Sequence, residues 1–165
     1  MSPIKPINLV NISKKQLANH CVECIILTHD NRLLLQQRGN DWHNFPGLSC
    51  AFGGQIEKGE SPIQALLREL HEELGAKVDE RDVITLGAFT EEYTKHTELI
   101  YAYFWHDKKG IITGCYEGEA KYFNSVEMVL REPKVMAGVV WALGECQKRE
   151  ILGELNVKNN NYETM

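Results

Sequence analysis

No stretch of this 165-residue chain approaches the roughly 20 apolar residues that a membrane-spanning helix needs. Basic charge is scarce too. Lys and Arg number 18 against 23 Asp and Glu, a net charge of −5. A general grip on a nucleic-acid backbone requires concentrated cations, so no nucleic acid polymer is expected as partner. A small phosphorylated ligand stays open, because a bound metal can invert local charge. The first 20 residues carry scattered Lys and Asn but no apolar run of export-signal length. Five cysteines, an odd number, fit reduced thiols better than a disulfide framework. A cytoplasmic protein without membrane attachment is the expectation. Internal repeats and low-complexity tracts are also absent.

What remains is ordinary for a globular domain: 43% hydrophobic, 25% charged and 8% aromatic residues. The length suits one domain with a full core. Residues 1–19 are polar and proline-punctuated and read as an N-terminal extension. Residues 20–153 read as the domain, and 154–165 as a C-terminal tail containing Lys158-Asn159-Asn160-Asn161.

Periodicity predicts strands over 21–28 and 33–37, joined by a turn at 29–32, and a short strand over 48–52 that runs into Gly53-Gly54. Further strands are expected over 83–90, 99–105 and 120–123, with a turn at 107–110. A closing helix is expected over 136–151, with Val140, Leu143 and Ile151 facing the core. The strongest helix signal begins at Ser61. That residue is a good N-cap, Pro62 suits the first helical position, and Gln64 completes a capping box. Ile63, Leu66, Leu67, Leu70 and Leu74 keep helical spacing, and Gly75 supplies the stop. Strands and helices interleave in both orders, which predicts an α/β fold with a mixed sheet between helices.

On this helix Glu69, Glu72 and Glu73 stand at i, i+3 and i+4 and share a face. Like charges at such spacing repel by roughly 0.2–0.5 kcal/mol per pair. Arg68 cannot neutralise three carboxylates alone. A run of charge is most often a solvated face, but here a divalent cation is the natural partner. Oxygen ligands favour Mg²⁺ or Mn²⁺ over zinc, and Mg²⁺ completes its shell with water and phosphate oxygens.

The surrounding spacing decides between those readings. Gly54, five residues, Glu60, seven residues, then Arg68-Glu69-Leu70-x-Glu72-Glu73-x-Gly75-Ala76 resembles the Nudix signature at every charged and glycine position. Seven specified residue types at fixed offsets arise by chance in about one window per 10⁸. The departure is Ala76, where the family prefers a larger aliphatic side chain. The chain is identified on this basis as similar to the MutT-type pyrophosphohydrolases of the Nudix family. The resemblance implies the Nudix α/β/α sandwich. It implies metal binding by Glu69, Glu72, Glu73 and the Gly53 carbonyl, with Arg68 orienting a motif glutamate. Gly54, Glu60 and Gly75 would shape the loops. The implied reaction is in-line attack of water on a diphosphate phosphorus, with Mg²⁺ as cofactor (Mn²⁺ as substitute). The implied substrate is a small nucleotide, turned over by a monomer or homodimer.

The family often draws one more glutamate from a later loop, and Glu117 and Glu119 are best placed for that role. Glu91, Glu92, Glu98 and His96 compete. Arg38, at a strand end, suits phosphate or a base edge. Tyr93 lies near where dinucleoside polyphosphate hydrolases carry a tyrosine, and Trp42 and Trp141 are further stacking candidates. Cys21 and Cys24 form a lone CxxC; on a strand they point to opposite faces, so they are expected to be core thiols. His71, in the box's unspecified position, is expected to be exposed.

Substrate signals outside the box are thin. The proline of ADP-ribose hydrolases is missing, since none occurs between Pro62 and Pro133. The coenzyme A pattern is matched only in part by Leu34-Leu35-Gln36-Gln37-Arg38. A nucleoside triphosphate or other nucleoside diphosphate derivative is left by elimination. Two rivals stay open: an isopentenyl diphosphate isomerase on the same fold, and a nucleotide-binding module without catalysis. Against the first stands Phe52-Gly53-Gly54 where isomerases usually place Cys-x-His. Against the second stand the intact box carboxylates.

Overall fold

The computed structural model describes residues 3–9, 19–43 and 45–156. Among the described residues, eight strands form one mixed sheet: β1 (Ile4–Pro6), β2 (Asn19–Leu27), β3 (Leu33–Gln37), β4 (Ser49–Cys50), β5 (Phe52–Gln55), β6 (Val83–Glu91), β7 (Glu98–His106) and β8 (Glu119–Phe123). Three α-helices among the same residues accompany it: α1 (Pro62–Leu74), α2 (Val126–Leu130) and α3 (Ala137–Lys148). The strand order is β1-β6-β7-β2-β3-β4, with β5 on β2 and β8 on β3. β2 and β7 run parallel along their full length, while the other strand pairs are antiparallel.

β2 is the hub of the sheet. One edge pairs with β7 throughout, whereas the other edge forks. Cys21 to Cys24 pair with β5, and Ile26 and Leu27 pair with β3. Alternation along β2 divides the core accordingly. Val22, Cys24 and Ile26 face α1 and meet Phe52, Leu66, Leu70 and Leu74. Ile25 and Leu27 face α3 and meet Leu35, Phe89, Val139, Leu143 and Cys146. Each fully buried Leu or Ile contributes about 1.5–3 kcal/mol, so both helices are bound firmly to opposite faces. The two CxxC thiols do part as expected, with Cys24 in one core and Cys21 packed against the other.

α1 begins and ends as its sequence requires. The Ser61 hydroxyl accepts from the Gln64 N–H, and the Gln64 carbonyl side chain accepts from the Ser61 N–H, at 3.2 and 2.9 Å. Gly75 closes the helix in the left-handed conformation, φ 64°. Ala76 is fully buried among the α1 core, so the smaller residue is a packing choice.

Three expectations need correction. The single strand over 48–52 is two: β4 pairs with β3 while β5 turns away at Ala51 to pair with β2, taking Gly53 and Gly54 into the sheet. Residues 4–6, read as extension, form an edge strand on β6, where proline is tolerated because one edge needs no donor. Val140 is 39% exposed. Leu143 and Ile151 do reach the core, and the buried stripe of α3 is Val139, Ala142, Leu143 and Cys146, so only Val140 falls off it.

Gly53 is indispensable to the fork. Its φ is 153°, and a Cβ there would collide with the Val22 carbonyl oxygen. Gly144 in α3 has open space around its Cα. Gly53→Ala is therefore expected to destabilise the protein by about 2–4 kcal/mol, through strain and overpacking. Gly144→Ala should stabilise it by about 0.4–1 kcal/mol. Urea unfolding of both variants checks the pair.

Candidate active site

Where β5 lies against β2, α1 presents its acidic face to the sheet edge, and that face is split. The side chains of Glu69 and Glu73 turn inward, leaving 9% and 2% of each residue exposed. Glu72 points out, with 57% of its side chain exposed. The three do not form a uniform surface, because only i and i+4 lie along the direction that meets β5.

Glu73 is pinned by the main chain. The Gly53 N–H donates to its Oε2 at 3.0 Å. At Gly54 a Cβ would run into the Glu69 carboxylate, so this glycine clears the way for an acid from α1, while Gly53 clears the β2 backbone. Arg68 collects the rest. Its Nε and one Nη bind both Glu60 oxygens at 2.8 and 2.9 Å, and the same Nη donates to the Gln55 carbonyl at 3.0 Å. The other Nη reaches Glu69 at 2.9 Å and Glu72 at 3.3 Å. A bidentate fork of this kind fixes direction as well as charge. It holds the 55–60 loop to the helix and leaves Glu73 outside its reach. The Glu60 carboxyl is drawn below its ordinary value by that fork.

The loop after β7 returns to the same place. The Thr113 N–H donates to the Leu74 carbonyl at 3.0 Å, and the Tyr116 N–H to the Glu73 carbonyl at 2.8 Å. The buried Gln36 amide donates to the Glu117 carbonyl at 2.8 Å. These three bonds bring the Glu117 side chain close to the Glu73 carboxyl. Burial first, then Glu117 and Glu69, push Glu73 up to about 9. Burial also raises Glu69, against the pull of Arg68. Carboxyls crowded in this way favour a bound proton or a positive ion.

Glu119 lies elsewhere. It is exposed at the start of β8, paired in register with Gln37, and with Arg38, Trp42 and Gly118 it lines a cleft of about 380 Å³. The Arg38 guanidinium stacks on Trp42, 4.2 Å from the ring centre. Tyr93 is exposed, and its ring meets that of Phe45 at 4.5 Å. Trp141 packs on Phe89 instead of lining the site. His71 is exposed. His96 is engaged with the Thr90 hydroxyl at 2.8 Å. Glu92 is exposed and Glu98 half-buried. Glu91 is 4% exposed and pushed up to about 7 by burial and by Glu98. One acid escaped the sequence reading altogether. Glu23, in the middle of β2, has a carboxyl oxygen sealed from solvent. A glutamate inside an otherwise apolar strand was the available signal.

A profile of the NUDIX domain matches residues 20–139. The CTP pyrophosphohydrolase of Escherichia coli K12 is 31% identical over 122 residues, 72% of this chain and 84% of that protein. An RNA pyrophosphohydrolase of Francisella tularensis is 36% identical over 77 residues, which span 46% of this chain and 43% of that protein. Among solved structures, a MutT protein from Methanosarcina mazei superposes with a TM-score of 0.67 at 18% identity, covering 84% of this chain and 99% of the other. The NUDIX domain of Shewanella oneidensis NrtR, complexed with ADP ribose, gives 0.63 at 21% identity, covering 86% and 96%. At these identities the structural likeness speaks to the fold. The domain profile over most of the chain, together with the aligned pyrophosphohydrolase, establishes that the chain belongs to the Nudix family of hydrolases.

Proposed function

We propose that the chain hydrolyses a diphosphate linkage in a nucleoside triphosphate or another nucleoside diphosphate derivative, using Mg²⁺, with Mn²⁺ able to replace it. The observation that carries this reading is the crowding of the buried Glu69 and Glu73 carboxyls at the sheet edge, Glu73 pinned by the Gly53 N–H and Glu69 by Arg68, with Glu117 close by. Such crowding costs free energy in the protein alone. A divalent cation turns the same crowding into a binding site. Among the described residues, no three His, Cys, Asp or Glu side chains stand grouped so that they could hold a metal ion by themselves. An ion that takes a few carboxylates and fills its shell with water and phosphate oxygens fits this donor set better than one needing an all-protein cage.

Glu69, Glu73 and the Gly53 carbonyl would hold the ion, with Glu72 reaching it by releasing its exposed bond to Arg68. The ion, when bound, polarises the phosphate and lowers the pKa of an adjacent water. The chain's own residues do the remaining work. The Gly53 N–H keeps Glu73 in one rotamer. Arg68 keeps Glu69 aligned and the 55–60 loop closed on the helix. Glu117 takes the proton from the attacking water, since it touches the site from a loop stitched to α1. Arg38, 4.2 Å over the Trp42 ring at the rim of the cleft, is the cation nearest to hand there for a phosphate or base edge. We assign residues 20–153 to the catalytic domain.

With Mg²⁺, a panel of nucleoside triphosphates and diphosphate derivatives should include at least one substrate, and EDTA should abolish its turnover. Chromatography of all products decides this, and an inert protein on the full panel with either metal refutes the reading. Glu117→Gln should lower kcat by roughly 10²–10⁴-fold with little change in KM. Glu119→Gln should stay within a few-fold of the parent; the reverse ranking would transfer the role. The raised Glu73 pKa has a definite sign for stability. The folded state prefers the protonated acid, so stability is fullest below 4.5 and declines as pH rises toward about 9. The Tm of EDTA-treated protein should fall across that interval, Glu73→Gln should flatten the fall, and saturating Mg²⁺ should reverse it.

A further inference from the structure

β3 is apolar up to Gln36, and that glutamine is as deeply buried as the leucines before it, at 2% exposure. It shares a face with Leu34, which packs on the α1 side, and its register partners are Cys50 on β4 and Ala120 on β8. A buried amide carries an acceptor and a donor that both need answering. Here both are answered. Cys50 Sγ donates to Gln36 Oε1 at 3.4 Å, and Gln36 Nε2 donates to the Glu117 carbonyl at 2.8 Å. Methionine would fill a similar space without that demand. What the amide adds is its hold on the loop that carries Glu117.

That loop is gripped from two directions. On the helix side, the Tyr116 N–H donates to the Glu73 carbonyl at 2.8 Å. On the sheet side stands Gln36. Cys115 Sγ joins it at the same carbonyl, 3.3 Å from the Glu117 oxygen and 3.7 Å from that of Gly118. Gly118 is left-handed, φ 68°, and a Cβ there would stand 2.9 Å from Gln36 Cγ and from the Gln37 carbonyl oxygen. The turn at 116–118 therefore lies directly on the Gln36 side chain. Its main chain is fixed to α1 and to β3, while Glu117 itself is exposed.

We infer that Gln36 is a positioning residue for the general base. The inference rests on the reading of Glu117 as the group that takes the proton from the attacking water. Such a base must come within about 2.6–3.2 Å of the water oxygen, and a displacement of about 1 Å at reacting groups can cost about 10²-fold. The Glu117 carboxylate hangs from the main chain of the turn, so its placement is inherited from that main chain. Released from β3, the turn pivots about the Tyr116 bond and carries the carboxylate off line. Gln36 acts on the reaction through Glu117.

Gln36→Met keeps the length of the side chain and its packing on Gly118, but it donates nothing to the Glu117 carbonyl. Assayed with Mg²⁺ on the best nucleotide substrate, it should lower kcat about 10–100-fold with KM within about threefold of the parent. In a Glu117→Gln background the same substitution should cost no more than about twofold, because a misplaced base and an absent one are equivalent. A second readout needs no turnover. Cys115 bonds to the same turn, so iodoacetamide should alkylate it at least about fivefold faster in Gln36→Met, the factor expected for one lost hydrogen bond. The buried thiols Cys24 and Cys146 should stay protected and report an intact core. If Gln36→Met folds poorly, Gly118→Ala displaces the turn from its other side and should reproduce both the kcat loss and the faster alkylation. A purely structural Gln36 predicts a kcat loss that multiplies with that of Glu117→Gln. That result, a kcat within about threefold of the parent, or unchanged alkylation of Cys115 overturns the proposal. A silent Glu117→Gln strikes the reading beneath it, whereas a damaging Glu117→Gln beside a harmless Gln36→Met confines the failure to the positioning role.

Discussion

The hydrogen bond from the Gly53 N–H to the Glu73 carboxylate is the constraint on which the rest of the site depends. It can form only because β5 leaves β4 at Ala51 and crosses to β2 with a residue lacking a Cβ at the point of closest approach. It draws the end of α1 to the sheet edge, and with it Glu69. The helix end in turn sets the loop after β7, whose Thr113 and Tyr116 N–H groups bond to the Leu74 and Glu73 carbonyls. Glu117 is thus brought towards Glu73 by these main-chain bonds and by the Gln36 amide on its carbonyl. Three segments far apart in sequence are fixed by one backbone contact and its consequences.

Arg68 performs a separate task. Its guanidinium satisfies Glu60, Glu69 and the Gln55 carbonyl at once, so the loop before α1 and the helix move as a unit. The division of labour leaves one group of acids neutralised and another crowded. A protein selected for stability alone would spread the positive charge over both. Concentrating it at Glu60 and Glu69 leaves Glu73 and Glu117 without a paired cation, the crowding on which the proposed metal site rests.

Much of this was legible in the sequence because it is local. The capping box at Ser61, the apolar stripe of α1 and the Gly75 stop depend on residues within one helix, and each is realised. The box spacing likewise identified the family. What escaped depends on contacts across long separations. β1 pairs with β6 despite its prolines, which a local reading treats as breakers. The split of the 48–55 segment into β4 and β5 is decided by two different partner strands. Glu72 shares a helical face with Glu69 and Glu73 by count, yet the sheet edge admits only the other two. That Glu117 approaches Glu73 while Glu119 lies at another cleft depends on long-range bonds that spacing could not reveal. Glu23 was hidden by its strand, whose apolar neighbours drew attention to the core instead of to the one residue that does not belong there.

The central claim is that the carboxylates around Glu73 form the binding site for a divalent cation. Its most direct test is a titration of the protein with Mn²⁺ followed by electron paramagnetic resonance of the free ion, in the parent and in Glu73→Gln. The account predicts saturable binding by the parent, weakened in the variant by at least the roughly 10–100-fold that even outer-shell partners of a metal site command. Equal Mn²⁺ affinity in the two proteins, or no binding to the parent, would contradict it.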